Sequence, residues 1–313
     1  MTADTERHTK TEGPKRAGQV RGVYLPVTTP FDEEDGAPDL DAFRRNLGAW
    51  LDHGVAGIVV AGSTGEAPLL DDRELWALVD AAREEIPKGR ELVVGTGAES
   101  TRRTVSRCRE VGARGADAVL VRPPAYYADA MSHAALKRHY RTVADESPVP
   151  VFLYHIPRYV PVDLEPKLVE ELAAHENVTA LKDSSGDVKR LGTYVETAGD
   201  DLDVLVGSGT LLYGGLEVGA AGGIVAVGNV ATGLCCELER AWREGDSQRA
   251  GALQERIGPL HRKVVGRHGV PGVKHALDVL GLDGGPPRPP FLPLEAGGRE
   301  DVERALEAAG AEA

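Results

Sequence analysis

Eight short apolar runs, each followed by an amphipathic stretch of helical length, fill the chain from residue 23 to residue 242 and leave few architectures open. The runs are Val23–Val27, Gly57–Ala61, Leu92–Gly95, Ala118–Val121, Val151–Tyr154, Thr179–Leu181, Asp203–Val206 and Gly223–Ala226. They are short and almost uniformly apolar, as parallel strands covered on both faces must be. The stretches between and after them are Asp39–His53, Asp71–Glu85, Ser100–Gly112, Ser132–Asp145, Leu164–Ala174, Asp187–Thr197, Leu211–Val218 and Thr232–Trp242. Several open on Asp, Ser or Thr, whose side chains accept hydrogen bonds from the free N–H groups of a first helical turn. Strict alternation of strand and helix selects a parallel sheet, and eight repeats favour a closed (β/α)8 or TIM barrel over an open doubly wound sheet.

A barrel of this kind accommodates 313 residues as one unit. Residues 1–20 are polar, mixed in charge and without the apolar stretch of a secretory signal, so they are expected to form a disordered lead-in. Residues 21–243 make the barrel. Beyond it, Asp246–His268, Val270–Leu280 and Arg299–Ala309 have helical patterns, with a Pro/Gly-rich segment at Gly284–Pro293. Residues 244–313 are therefore expected to be a C-terminal helical extension, packed outside the barrel or against another subunit.

Several function classes drop out. A formal net charge of -13 opposes binding to a phosphate backbone, which needs clustered Lys and Arg, so no nucleic-acid partner is expected. The most apolar window, Leu211–Cys236, is interrupted by Glu217, Asn229 and many glycines, and no membrane span follows from it. The three cysteines, Cys108, Cys235 and Cys236, have neither an even count nor CxxC spacing. They imply no disulfide framework and no zinc site, and a reducing cytoplasm is the natural reading.

In such barrels chemistry sits where strands run into loops at the C-terminal face, so the residues just after each run are the candidates. The second run continues into Ala61-Gly62-Ser63-Thr64-Gly65-Glu66, where backbone N–H groups and two hydroxyls can receive a carboxylate. A plain turn with helix-capping hydroxyls explains the same residues about as well, and the P-loop frame is absent. The fourth run ends in Arg122-Pro123-Pro124-Ala125-Tyr126-Tyr127, a stiff turn presenting two phenols, and the fifth in Phe152-Leu153-Tyr154-His155-Ile156-Pro157. A phenol at that rim can relay protons when a partner makes ionisation cheaper. His155 should point away from Tyr154 and serve packing or support more than base catalysis.

The sixth run ends in Ala180-Leu181-Lys182-Asp183-Ser184-Ser185-Gly186-Asp187. An average lysine is a solvated surface charge, and this one has Asp183 next to it as a structural partner. At the end of a buried strand, however, desolvation disfavours the ammonium form and leaves a nucleophilic amine. Asp183 and Asp187 lack further ligands at metal spacing, so a helix N-cap or a solvated pair is expected and no metal is assigned.

Taken together, Gly62-Ser63-Thr64-Gly65-Glu66, Pro123-Pro124-Ala125-Tyr126-Tyr127, Tyr154-His155-Ile156-Pro157 and Lys182-Asp183-Ser184-Ser185-Gly186-Asp187 resemble the dihydrodipicolinate synthase/N-acetylneuraminate lyase superfamily, from about Gly22 to Pro293. Order and spacing match, with 28 residues from Tyr154 to Lys182. Within it, the stretch Arg122–Arg190 and the segments Gly269-Val270-Pro271-Gly272-Val273-Lys274 and Gly284-Gly285-Pro286 look most like 4-hydroxy-2-oxoglutarate aldolase. Dihydrodipicolinate synthases carry an arginine five residues after the loop tyrosine, where this chain has Tyr159, with Arg158 one place early. A bidentate carboxylate clamp is sensitive to such a shift, which makes dihydrodipicolinate synthesis, or another 2-keto-3-deoxy sugar acid aldolase, the runner-up.

The resemblance implies a Schiff-base lyase in which Lys182 condenses with a pyruvate-type 2-oxo acid and Tyr154 moves protons with Ser63 and Tyr127. Ser63, Thr64 and Gly62 would bind the substrate carboxylate, Gly207 and Ile224 would line the floor, and Ser184 would contact the distal carboxylate. Tyr127, or Tyr126 beside it, would cross from an adjacent subunit of a homo-oligomer, a tetramer or a dimer by the same resemblance. No cofactor is implied, because the imine itself is the electron sink. Two other classes stay open: a phosphate-handling isomerase using Gly207-Ser208-Gly209-Thr210, and a ligand-binding barrel without turnover.

Overall fold

A computed structural model describes residues 20–311. The expectation for residues 1–20 therefore falls almost wholly outside the described residues. Eight parallel strands close into a barrel in sequence order: β1 (Gly22–Pro26), β2 (Gly57–Val60), β3 (Glu91–Gly95), β4 (Ala118–Val121), β5 (Val151–His155), β6 (Val178–Asp183), β7 (Asp203–Val206) and β8 (Gly222–Ile224). Closure is made by β1 and β8, with Val23 opposite Gly223 and Tyr24 opposite Ile224.

The helices α1 (Leu40–Leu51), α2 (Asp72–Glu85), α3 (Thr101–Ala113), α4 (His133–Glu146), α5 (Pro166–Ala173), α6 (Val188–Ala198), α7 (Leu212–Glu217) and α8 (Thr232–Arg243) follow the strands in turn. Side chains start them as expected. Asp39 accepts from the N–H groups of Asp41 and Ala42, Asp71 and Glu74 form a reciprocal capping box, and Ser100, Ser132 and Asp187 cap α3, α4 and α6. Their apolar faces lie on the barrel, where Leu47, Ile58, Leu78, Val93, Val119, Leu153, Leu181 and Leu205 are completely buried.

The extension is helical but irregular. α9 (Ser247–His261) widens into a π-helical segment, Arg262–Arg267, that leads into α10 (His268–Val279), kinked where Gly269 takes φ +62°. α11 (Ala296–Ala309) packs against α9 and α10. α9 and α10 do not simply lie outside the barrel: they approach the turns after β7 and β8 and close one side of the barrel mouth. No helix of the described residues is long and apolar enough to cross a membrane.

Candidate active site

A cavity of about 270 Å³ opens at the C-terminal end of the barrel. At its base stand Lys182 and Tyr154, neighbours in register on β6 and β5. Alternation along each strand points both side chains inward and sends the next pair, His155 and Asp183, to the helix layer. Lys182 is 3% and Tyr154 5% exposed, and Lys182 Nζ donates to the Tyr154 hydroxyl at 3.2 Å. Nζ also lies 4.3 Å from the centroid of the phenol ring. Among the described residues no carboxylate lies within ion-pair distance of Lys182, so Asp183 is not its partner.

Ser63 and Thr64 line the opposite side. Their backbone N–H groups make no hydrogen bond among the described residues, whereas the following N–H groups of Gly65, Glu66 and Ala67 close onto the carbonyls of Gly62 and Ser63. The turn that presents them is strained: Ala61 and Glu66, which flank it, both sit in the left-handed region, with φ of 54° and 56°. Three contacts hold it. Thr29 donates to the Gly65 carbonyl at 2.9 Å, the Arg288 N–H donates to Glu66 at 2.9 Å, and Lys274 Nζ lies 2.8 Å from the Glu66 carboxylate. Glu66 and Lys274 are each 1% exposed. Burial pushes the Lys274 ammonium below its ordinary range, and the Glu66 charge opposes that shift.

The remaining wall comes from Ile156, Arg158 and Tyr159 after β5, from Ser184, Ser185 and Gly186 after β6, from Gly207, Ser208 and Ala226, and from the extension. Gly207 is required by close approach, since a Cβ there would lie 2.0 Å from the Ser184 hydroxyl. Arg158 reaches the cavity despite its one-residue shift and donates to the Gly266 carbonyl at 2.9 Å. From the extension come His261, Val265, Gly269, Val270 and Val273. Burial, reinforced by the charges of Arg158 and Arg262, lowers the His261 imidazole to about 4.

Other expected residues do not line this cavity within the single chain. Tyr126 and Tyr127 are 79% and 71% exposed and do not line the cavity. Glu99 accepts from the N–H groups of Ala125 and Tyr126 and pairs with Arg122, which pins the turn with both rings turned outward. Ile224 is wholly buried and Ala226 lines the cavity in its place, because β8 stops after three residues and the position two places on, on the same side, reaches the mouth. Gly62 lies behind the lining, near Pro26 and Val59. Asp187 caps α6 as expected, but Asp183 is buried against His155 and Ser185 and is no solvated partner of Asp187.

Residues 19–309 match the dihydrodipicolinate synthetase family. An uncharacterized DapA-like lyase from Halobacterium salinarum is 38% identical over 293 residues, 92% of each chain. A 4-hydroxy-tetrahydrodipicolinate synthase from Methanothrix thermoacetophila is 33% identical over 277 residues, 88% of this chain and 92% of that one. A solved prophage protein from E. coli K12, of the dihydrodipicolinic acid synthase family and in complex with pyruvate, superposes with a TM-score of 0.88 at 28% identity, over 93% of this chain and 99% of that one.

The chain belongs to the dihydrodipicolinate synthetase family. It is accordingly a lyase, and in this dihydrodipicolinate synthetase family member part of how the site is assembled carries no local signal in the sequence. Glu66 and Lys274 each fall in a segment singled out above, but nothing local pairs them across 208 positions of chain, and His261 sits in a helix whose pattern speaks only of packing. Gly269 and Pro271 interrupt a helical pattern and mark a local backbone requirement.

Proposed function

We propose that the protein is a Schiff-base lyase acting on a 2-oxo acid, with Lys182 as nucleophile and 4-hydroxy-2-oxoglutarate as substrate. The observation that carries this reading is the buried Lys182 amine, facing a phenol at 3.2 Å and no carboxylate. The free amine attacks the C2 ketone and the adduct loses water to give a cationic imine. Ser63 and Thr64 receive the C1 carboxylate through their open N–H groups and hydroxyls. Tyr154 takes the proton of the C4 hydroxyl as the C3–C4 bond breaks, and the bonding pair moves into the imine to form an enamine. Glyoxylate leaves, the proton returns to C3, and hydrolysis of the imine releases pyruvate. Arg158 and Ser184, both on the cavity wall, would hold the distal carboxylate. The solved relative bound to pyruvate supports the 2-oxo acid class.

A second reading, condensation of pyruvate with aspartate semialdehyde, is favoured by Arg158, which lines the cavity, and by the activity named for several relatives. Steady-state assays separate the two. Pyruvate release from 4-hydroxy-2-oxoglutarate with the higher kcat/KM supports the first reading, and faster consumption of pyruvate with aspartate semialdehyde supports the second. The proposal includes a homo-oligomer in which the outward Tyr126–Tyr127 pair, edge to face at 4.9 Å, meets a neighbouring copy.

A further inference from the structure

Directly behind the Tyr154–Lys182 pair, on the same two strands, lies a second polar pair that the reaction does not use. In register, His155 faces Asp183 one residue after Tyr154 faces Lys182. His155 Nδ1 lies 2.7 Å from Asp183 Oδ1, and both residues are 3% exposed. Asp183 also accepts from the Ser185 hydroxyl at 2.6 Å and the Ser185 N–H at 3.1 Å. On the other side of the ring, His155 Nε2 lies 3.1 Å from Asp163 Oδ1, and Asp163 accepts from Arg190 with both oxygens, at 2.7 and 2.8 Å. Arg190 and Tyr194 of α6 both donate to the Leu164 carbonyl, and the Tyr194 ring meets the imidazole edge to face at 5.9 Å.

The location is unusual for a barrel strand. The preceding outward pair in the same register, Leu153 opposite Leu181, is apolar and packs under the helices. Replacing such a pair by buried His and Asp adds no stability that leucines would not give, because desolvation offsets most of the attraction. What hydrogen-bonded side chains add is a fixed geometry. Here the geometry fixed is the separation of β5 and β6 at the residues that carry the phenol and the amine. The second branch, through Asp163, anchors residues 156–165, which bring Ile156, Arg158 and Tyr159 to the cavity.

We infer that His155 is a positioning residue with two separable duties: through Asp183 it sets the Tyr154–Lys182 spacing, and through Asp163 it holds the substrate-facing loop after β5. The inference rests on the reading of Lys182 as the Schiff-base residue. A misplacement of about 1 Å in a reacting pair costs on the order of 100-fold in rate, so the effect is measurable.

The imidazole can be divided by substitution. His155→Asn keeps a donor near the Nδ1 position, His155→Gln keeps one near Nε2, and His155→Leu keeps neither. In turnover of 4-hydroxy-2-oxoglutarate, His155→Leu is expected to lower kcat by about 10-fold or more and to raise KM. His155→Asn should recover kcat and His155→Gln should recover KM, while borohydride with pyruvate still labels Lys182 in all three. Asp163→Asn, at a half-exposed side chain, should raise KM with kcat unchanged, which tests the loop branch should the leucine variant fail to fold. Wild-type kcat and KM in folded His155→Leu, or an unchanged KM in Asp163→Asn, overturns the inference. Failure to label Lys182 in the wild-type protein overturns the function it rests on, so the two failures are told apart.

Discussion

Lys182 and Lys274 are withdrawn from solvent to nearly the same degree, and only Lys274 faces a carboxylate. Lys274 is tied to Glu66 at 2.8 Å and to the Pro286 carbonyl at 2.7 Å, so two of its three donors are engaged. Lys182 has one phenol at 3.2 Å and a cavity in front of it. Burial alone therefore does not distinguish a structural lysine from a reactive one; the partner does.

The first prediction concerns that phenol. Tyr154→Phe keeps the ring beside Lys182 and deletes the hydroxyl, so kcat should fall by about 100- to 10,000-fold, the range for loss of a general acid–base group. Borohydride labelling of Lys182 with pyruvate should persist. A Tyr154→Phe enzyme with wild-type kcat would remove the phenol from the mechanism.

The Glu66–Lys274 pair should behave as a brace. Removing one partner of a buried pair leaves an uncompensated charge and costs about 3–5 kcal/mol, whereas replacing both by apolar residues of similar size costs much less. Lys274→Met should lower the denaturant midpoint accordingly, and Glu66→Leu combined with Lys274→Met should recover part of the loss. Because Glu66 closes the strained turn that presents Ser63 and Thr64, KM for the 2-oxo acid should rise in both variants. Equilibrium unfolding and steady-state kinetics on the same preparations check this.

Arg158 is the guanidinium at the cavity wall. Arg158→Ala should raise KM for a substrate whose far end carries a carboxylate, by about 10-fold or more for loss of a charged contact. Labelling by pyruvate alone, which does not extend to that wall, should be unchanged. An equal loss with both would place Arg158 in folding and not in recognition.

Stability should also depend on pH through His139. Burial lowers its imidazole from an ordinary 6.5 to about 4, with Nε2 left without a hydrogen-bond partner. As pH falls, the unfolded chain takes up the proton first, so the unfolded state binds more protons and stability drops between about 6.5 and 4. The full window is worth about 3 kcal/mol for one such group. Melting temperatures of wild type and His139→Gln across this range should converge at low pH, with the flatter profile in the variant.

The barrel was legible because strand and helix periods are local: predicted bounds through α8 fall within two residues of the observed ones. Lys182 and Tyr154 were legible for the same reason, since a polar residue ending an apolar run can only face the mouth or the helices. Residues joined across the fold were not. His155 was expected to turn outward, but its two carboxylate partners come from a loop and the next strand. The part of the extension that lines the cavity was not legible, because its helices are amphipathic in the same way whether they pack on helices or close a cavity. Gly297 and Gly298 hid the start of α11, which begins three residues before the expected Arg299 because its buried face, Val302, Ala305, Leu306 and Ala309, supplies the stability that glycine lacks.

The most direct measurement is reduction of the wild-type protein with borohydride in the presence of pyruvate, followed by peptide mass mapping, with Lys182→Ala in parallel. One reduced pyruvate adduct on Lys182, none on Lys274 and none in the alanine variant is the predicted result. An unmodified Lys182, or an adduct carried by another lysine while Lys182→Ala still turns over substrate, would contradict the account.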